Sequence, residues 1–152
     1  MYYFYTDGAT SHNGADDAKG GWAWVLARFE GLDIIVMDSR AEAEDNTTNN
    51  RCELLAVINA CQYAVQNEML PARIYTDSAY IHNCMRDAWY KRWESNGWIN
   101  SKKEPVKNRD LWEQLIPFFK RDDFEFLKVK GHSTNKANNL ADAMAVEARG
   151  GN

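Results

Sequence analysis

The chain reads Tyr2-Tyr3-Phe4-Tyr5-Thr6-Asp7-Gly8 near its start and repeats the phrase far downstream as Tyr75-Thr76-Asp77-Ser78. Each phrase is a short run of aromatic and β-branched residues, the composition of a strand. Each then gives way to an aspartate followed by Gly or Ser, residues that favour turns and helix starts. If the two runs are parallel neighbours, a crossover connection must join them. Adjacent strands lie ~4.8 Å apart, so both carboxylates would converge at the carboxyl edge of the sheet, where open α/β sheets bind ligands. Two unpaired carboxylates so close repel each other and raise one pKa. A divalent cation removes that penalty.

The surrounding pattern supplies the crossover. Residues 22–29 and 34–39 are β-like runs separated by Glu30-Gly31-Leu32-Asp33, and with residues 2–6 they predict an antiparallel meander. Asp7-Gly8 is expected to end the first strand, 9–21 to form a loop with a turn, and 41–45 to form an acidic loop. Leu54, Val57, Ile58, Cys61 and Val65 then recur at helical spacing, and Asn46, Thr47 or Thr48 can cap that helix. Pro71 stops the region. Residues 72–76 predict a strand and 78–87 a helix. A Trp-rich segment follows, with a helix break at Asn96-Gly97 and a loop through Lys102-Lys103-Glu104-Pro105. Residues 110–119 predict a helix with Leu111, Leu115 and Phe118 on one side, 124–129 a last strand, and 136–148 a last helix with its stripe at Ala137, Leu140, Ala141, Met144 and Ala148. The order βββαβα(α)αβα describes an α/β fold: a five-stranded mixed sheet, three strands antiparallel and two parallel, flanked by helices. No repeat or linker interrupts the 152 residues, so one domain is expected over 1–152.

Composition excludes several classes. Apolar residues make up 45% and charged residues 26%, which is globular rather than disordered or fibrous. Three cysteines without CxxC spacing, in helix-like stretches, read as buried thiols of a reducing compartment. No window offers a signal sequence or the ~18 apolar residues of a membrane span, so a cytoplasmic protein with no membrane partner is expected. The net charge of −4 argues against indiscriminate nucleic-acid binding. Its distribution is uneven, because residues 86–109 hold seven bases against three acids, among or beside Trp89, Trp93, Trp98 and Trp112. Such a run is commonly a solvated helix face.

Two further acids extend the Asp7–Asp77 pair. Glu53 lies one helical turn before Val57, on the shoulder of the apolar stripe, and Asp142 sits beside the last helix's stripe, next to Ala141. Singly, each acid reads equally as a turn former, a cap or a surface charge. Gathered on one edge, four carboxylates match the hard oxygen ligands that Mg²⁺ prefers and a two-metal site for phosphoryl transfer.

From Tyr3 to about Glu147 the sequence resembles the type 1 ribonuclease H family. The phrases that carry the resemblance are Thr6-Asp7-Gly8, Thr47-Thr48-Asn49-Asn50-Arg51-Cys52-Glu53-Leu54, Thr76-Asp77-Ser78, Pro105-Val106-Lys107-Asn108-Arg109-Asp110-Leu111-Trp112 and Val129-Lys130-Gly131-His132 followed by Ala141-Asp142. The resemblance implies a ribonuclease H-like fold with helices on both faces of the sheet. It implies an endonuclease that hydrolyses the RNA strand of RNA/DNA hybrids, leaving 5′-phosphate and 3′-hydroxyl ends. Asp7, Glu53, Asp77 and Asp142 would hold two Mg²⁺ or Mn²⁺ ions, and His132 would assist proton traffic or product departure.

The resemblance also implies that Asn13, Thr48 and Asn49 contact DNA-strand phosphate or the hybrid's minor groove. The basic segment at about 86–109 would be a substrate handle using Trp89, Lys91, Arg92, Lys102 and Lys103. His12 and His82 match no family role. The chain departs from the bacterial pattern at Glu94-Ser95-Asn96, which replaces a cationic cluster, at Ala79, and in the loop between Asn13 and Gly20-Gly21, which is longer. A noncatalytic hybrid-binding module is the alternative and predicts binding without turnover; the intact acids speak against it. An integrase-like or exonuclease relative fits the quoted phrases poorly. A monomer is expected.

Overall fold

A computed structural model of the chain describes residues 1–11, 17–129 and 135–151. Its elements are β1 (Tyr2–Ser11), β2 (Lys19–Glu30), β3 (Asp33–Asp45), α1 (Asn49–Gln66), β4 (Ala72–Thr76), α2 (Ala79–Arg86), α3 (Trp89–Asn96), α4 (Arg109–Phe119), β5 (Phe124–Lys128) and α5 (Lys136–Ala148). The strands form one mixed sheet in the order β3-β2-β1-β4-β5. The β1–β2 and β2–β3 pairs are antiparallel, and β1–β4 and β4–β5 are parallel. The α/β fold expected from the sequence is the one observed.

Strand alternation sorts side chains onto two faces. Phe4, Trp24, Leu26 and Ile74 pack with α1, α2, α3 and α4 in the main core. Tyr5, Val25 and Ala27 face the other way, against Ala137 and Ala141 of α5. The stripe on α1 buries Leu54, Val57, Ile58 and Cys61 as expected, while Val65 is partly buried. Cys52, Cys61 and Cys84 are free and buried.

Three boundaries differ from expectation. Strand β1 does not stop at Asp7 but continues to Ser11, paired with β2, whose first residue is Lys19. Gly-Ala-Thr-Ser lacks an apolar alternation, yet the ladder with β2 satisfies its backbone. The acidic run 41–45 is likewise the end of strand β3 rather than a loop. On this edge strand the acids reach water, and Arg40 pairs with Glu42 while Lys19 meets Asp45 at 2.7 Å. Among the described residues no helix is long and apolar enough to cross a membrane.

Candidate metal and nucleic-acid site

The parallel pairing of β1 and β4 runs in register from Tyr2↔Ala72 to Tyr5↔Tyr75. The repeated phrases therefore lie side by side, and both aspartates follow the last paired residues by two positions. Beyond the ladder, the Thr6 hydroxyl donates to the Tyr75 carbonyl at 2.8 Å and holds the strand ends together beneath the acids. Ser78 then starts α2 by accepting from the Ile81 amide at 3.2 Å, while its own N–H donates to the Thr76 hydroxyl at 3.1 Å. Asp77 is thus held between a strand end and a helix cap, exposed at the carboxyl edge.

Glu53 arrives from the first turns of α1. Thr48 caps that helix, its hydroxyl accepting from the Arg51 amide at 3.2 Å. Close approach of the helix to the sheet requires a residue without a side chain: a Cβ on Gly8 would lie 2.6 Å from the Glu53 nitrogen and 2.7 Å from the Cys52 carbonyl carbon. Through that contact the Gly8 amide donates to Glu53 Oε1 at 2.7 Å and also to Asp7 Oδ1 at 2.9 Å. Glu53 is only 4% exposed, and among the described residues its buried Oε2 has no hydrogen-bond partner.

Asp7, Glu53 and Asp77 each offer an oxygen within 4.8 Å of the others. Burial, foremost, and then the charge of Asp77 push the Asp7 pKa up to about 7. Glu53 is raised well above the usual carboxylate range, first by burial and then by the charges of Asp7 and Asp77. Asp142, on the exposed side of α5, is near enough to Asp7 to raise its pKa further. It lies outside the closest three. Hard oxygen donors, an orphaned buried carboxylate oxygen and uncompensated negative charge fit a divalent cation. The cluster can hold a metal ion.

Next to the N-terminus of α1 lies a cavity of about 460 Å³, lined by Asn50, Tyr80, Trp89, Arg92, Trp93, the 96–101 turn and Val106, Lys107 and Asn108. Two of its lining residues, Tyr80 and Asn108, are braced by neighbours outside the cavity. Arg51 forms a bidentate pair with Asp110 at 3.0 and 2.8 Å and touches the Asn108 carbonyl oxygen of the side chain at 3.3 Å. Asn108 and Trp112 both donate to the Tyr80 hydroxyl, at 3.3 and 2.9 Å. Of the residues expected to bind substrate, Trp89 and Arg92 line this cavity. Lys91 is exposed on α3 outside it, and Lys102 and Lys103 stand exposed on the turn beyond it. Thr48 and Asn49 lie at the start of α1, with Asn49 accepting from the Thr10 hydroxyl at 3.3 Å.

Trp93 and Trp112 are buried packing residues whose rings meet at tilted angles in a cluster with Trp98. Glu94, which stands in the departure from the basic pattern, pairs with Lys120 at 3.0 Å. Asn13 and His132 lie outside the described residues. Asn50, Tyr80 and Asn108 were not anticipated from the sequence. The signal available for Asn108 was its place in Pro105-Val106-Lys107-Asn108, but its left-handed backbone, φ 63°, has no local signature.

Known proteins share this fold and much of this sequence. Proteins named Ribonuclease H from Moorella thermoacetica and Syntrophomonas wolfei are 45% and 44% identical over 147 and 144 residues, spanning 95% of this chain in both cases and 88% and 92% of theirs. Among solved structures, a foamy viral protease-reverse transcriptase in complex with dsDNA superposes with a TM-score of 0.82 at 28% identity, covering 97% of this chain and 93% of that one. The same viral protein in complex with RNA/DNA hybrid gives 0.82 at 27% identity, over 97% of this chain and 20% of the longer one. LC9-RNase H1, a type 1 RNase H, gives 0.79 at 27% identity, over 98% and 72%. A sequence model described as RNase H matches residues 1–149. With that match spanning nearly the whole chain, the protein belongs to the RNase H family.

Proposed function

We propose that the protein is an endonuclease that hydrolyses the RNA strand of RNA/DNA hybrids, using two Mg²⁺ or Mn²⁺ ions held by Asp7, Glu53, Asp77 and Asp142. The observation that carries this reading is Glu53: a buried carboxylate with one oxygen unpartnered among the described residues and two aspartates within 4.8 Å. A side chain so placed destabilises the metal-free fold and is relieved by cations. When bound, such ions activate a water for in-line attack on a phosphate and stabilise the departing 3′-oxygen, which yields 5′-phosphate and 3′-hydroxyl ends.

The chain's own residues supply position. The Gly8 amide fixes Glu53 and Asp7 together, and the Thr6 and Ser78 bonds hold Asp7 level with Asp77. Thr48 and Asn49, at the start of the helix that carries Glu53, would meet backbone phosphate or a 2′-hydroxyl, the contacts by which proteins read hybrid shape. The cavity bounded by Trp89, Arg92 and Asn108 offers an aromatic wall, a cation and amides for the neighbouring DNA strand. Asn13 would join the groove contacts, and His132 would move protons or aid product release. Relatives named Ribonuclease H, and a viral homologue seen with RNA/DNA hybrid, support the substrate class.

The test is a panel of end-labelled hybrid, RNA duplex and DNA duplex incubated with Mg²⁺ or with chelator. Internal cuts in the hybrid's RNA strand alone, only with metal, and with 5′-phosphate on the downstream product are expected. Hybrid binding without any cleavage would leave a binding module instead.

A further inference from the structure

We propose that the hydrogen bond between Tyr5 and Asn135 is a positioning device: it sets where α5 places Asp142 against Asp7, and so how tightly the carboxylate site holds a divalent cation. The inference rests on the metal-site reading above.

The four acids are not equally fixed. Asp7 and Asp77 follow paired strands, and Glu53 is tied to Gly8, but Asp142 reaches the site from a helix on the opposite face of the sheet. That helix meets the sheet through a fully buried line of Ala137, Ala141 and Ala145, with Leu140, Met144 and Val146 partly buried beside it. A stripe of single methyl groups permits close approach, and at Gly21 the backbone of α5 comes so near that a Cβ would lie 2.3 Å from the Ala145 carbonyl oxygen. Methyl groups offer little interdigitation, however, to stop a helix sliding along its own axis. With the larger side chains of α5 only partly buried at the margins of this line, polar fasteners at its ends add to what sets its axial position.

The structure shows one at each end. Near the C-terminus, Arg149 donates to the Thr10 carbonyl at 3.3 Å. Before the N-terminus, the Asn135 amide donates to the Tyr5 hydroxyl at 3.0 Å. Asn135 uses its side chain in two directions, because its Oδ1 also accepts from the Asn138 amide at 3.0 Å and caps α5. The oxygen of this amide starts the helix, and the nitrogen on the same carbon fastens it to the sheet. Tyr5 is a rigid anchor, 3% exposed and stacked on Tyr75 with ring centroids 4.8 Å apart and planes 7° apart. These two rings stand two residues before Asp7 and Asp77. The strand pair that fixes two acids thus also fixes the ring to which the helix of the fourth is tied. Asp142 follows Asn135 by about two helical turns, on the same side of the helix, so a shift at the cap is delivered nearly undiminished to the carboxylate.

Four variants separate this role from simple stability. Tyr5→Phe removes only the hydroxyl; Asn135→Ser keeps a capping oxygen but is too short to reach Tyr5; Asn135→Asp keeps the cap and can accept from the hydroxyl. Tyr5→Phe/Asn135→Asp carries the same added charge without the bond. Mn²⁺ binding to the metal-free proteins is measured by calorimetry, alongside the Mn²⁺ concentration for half-maximal hybrid cleavage. Y5F and N135S should each weaken binding by roughly three- to tenfold, at or below the usual effect of losing an outer partner of a metal ligand. N135D should bind within about twofold of the unaltered protein, and Y5F/N135D should stay weak, with kcat at saturating metal and KM for hybrid unchanged throughout. Y5F that binds Mn²⁺ normally while melting earlier, or Y5F/N135D that binds as well as N135D, overturns the proposal. Absence of any Mn²⁺ binding that Asp7→Asn removes would instead bring down the metal-site reading itself.

Discussion

At Asp7 the cost of assembling the site is visible as a shifted titration. Its pKa stands at about 7, and that of Glu53 well above the usual range, because burial and the neighbouring acids disfavour charge. A carboxyl raised in the folded state holds a proton that the unfolded chain has released above pH ~4, so the metal-free fold loses stability as pH rises from there through 7. Replacing Asp7 by Asn removes one such charge at nearly constant volume. In chelator, D7N should melt later than the unaltered protein at pH 8, by ~1–3 kcal/mol once the shift is shared with Glu53, and the gain should shrink at pH 5. Differential scanning fluorimetry across that range checks it, and equal melting at pH 8 would show that the acids do not strain the fold. The same variant should lose hybrid cleavage by more than the ~100-fold typical of an outer partner. Added Mg²⁺ should reverse the stability order, because it stabilises only the protein that binds it. D77N should behave likewise in the cleavage assay, while its stability gain should be smaller because Asp77 is exposed.

The elements bring these acids together through contacts of very different legibility. Tyr5-Thr6-Asp7 and Tyr75-Thr76-Asp77 announce two equivalent strand ends, and parallel register makes them neighbours, so the sequence reveals that pair without help. Helical spacing sets Glu53 only on the shoulder of the stripe that faces the sheet, and the resemblance to the family is what joins it to the pair. What local pattern conceals is how near α1 comes to β1, since Gly8 reads equally as a turn residue and in fact lies inside a strand, under the backbone of a helix that begins far along the chain. Gly8→Ala should therefore act on the whole element: its Cβ would meet backbone at 2.6 Å, which cannot rotate away. A loss of ~1–3 kcal/mol in urea unfolding is expected from the overpacking. Mn²⁺ affinity should fall beyond what the stability loss explains, because Glu53 moves with the helix. Unimpaired metal binding in a folded G8A protein would show that the helix can yield without moving the site. The ends of β1 and β3 were hidden for a related reason. Pairing to β2 carries both strands through polar and acidic residues whose own preferences suggest loops.

Across the whole molecule, charge is segregated rather than balanced. The chain carries a net −4, yet residues 86–109 hold seven bases and three acids, and the acid-rich end of β3 occupies the opposite edge of the sheet from β5. The basic segment is not a loose tail. Its turn is closed by Ile99 and Pro105 bridging, by Asn100 accepting from the Lys102 and Glu104 amides at 2.9 and 3.0 Å, and by Arg109 lying over the Trp98 ring at 5.0 Å. Lys102 and Lys103 are thereby held out into solvent beyond the cavity, while Arg92 stands on its wall. Cations displayed this way act mainly through phosphate and counterion release, whose signature is salt dependence. Reversing both lysines, K102E/K103E, should raise KM for hybrid and flatten its logarithmic dependence on salt by about one to two units, with kcat at saturation preserved. R92E should cost more KM for its single charge, since it also spoils the cavity wall. Identical salt slopes for K102E/K103E and the unaltered enzyme would show that the projecting turn plays no part in holding nucleic acid, and would leave the cavity beside α1 as the whole of the substrate surface on that side.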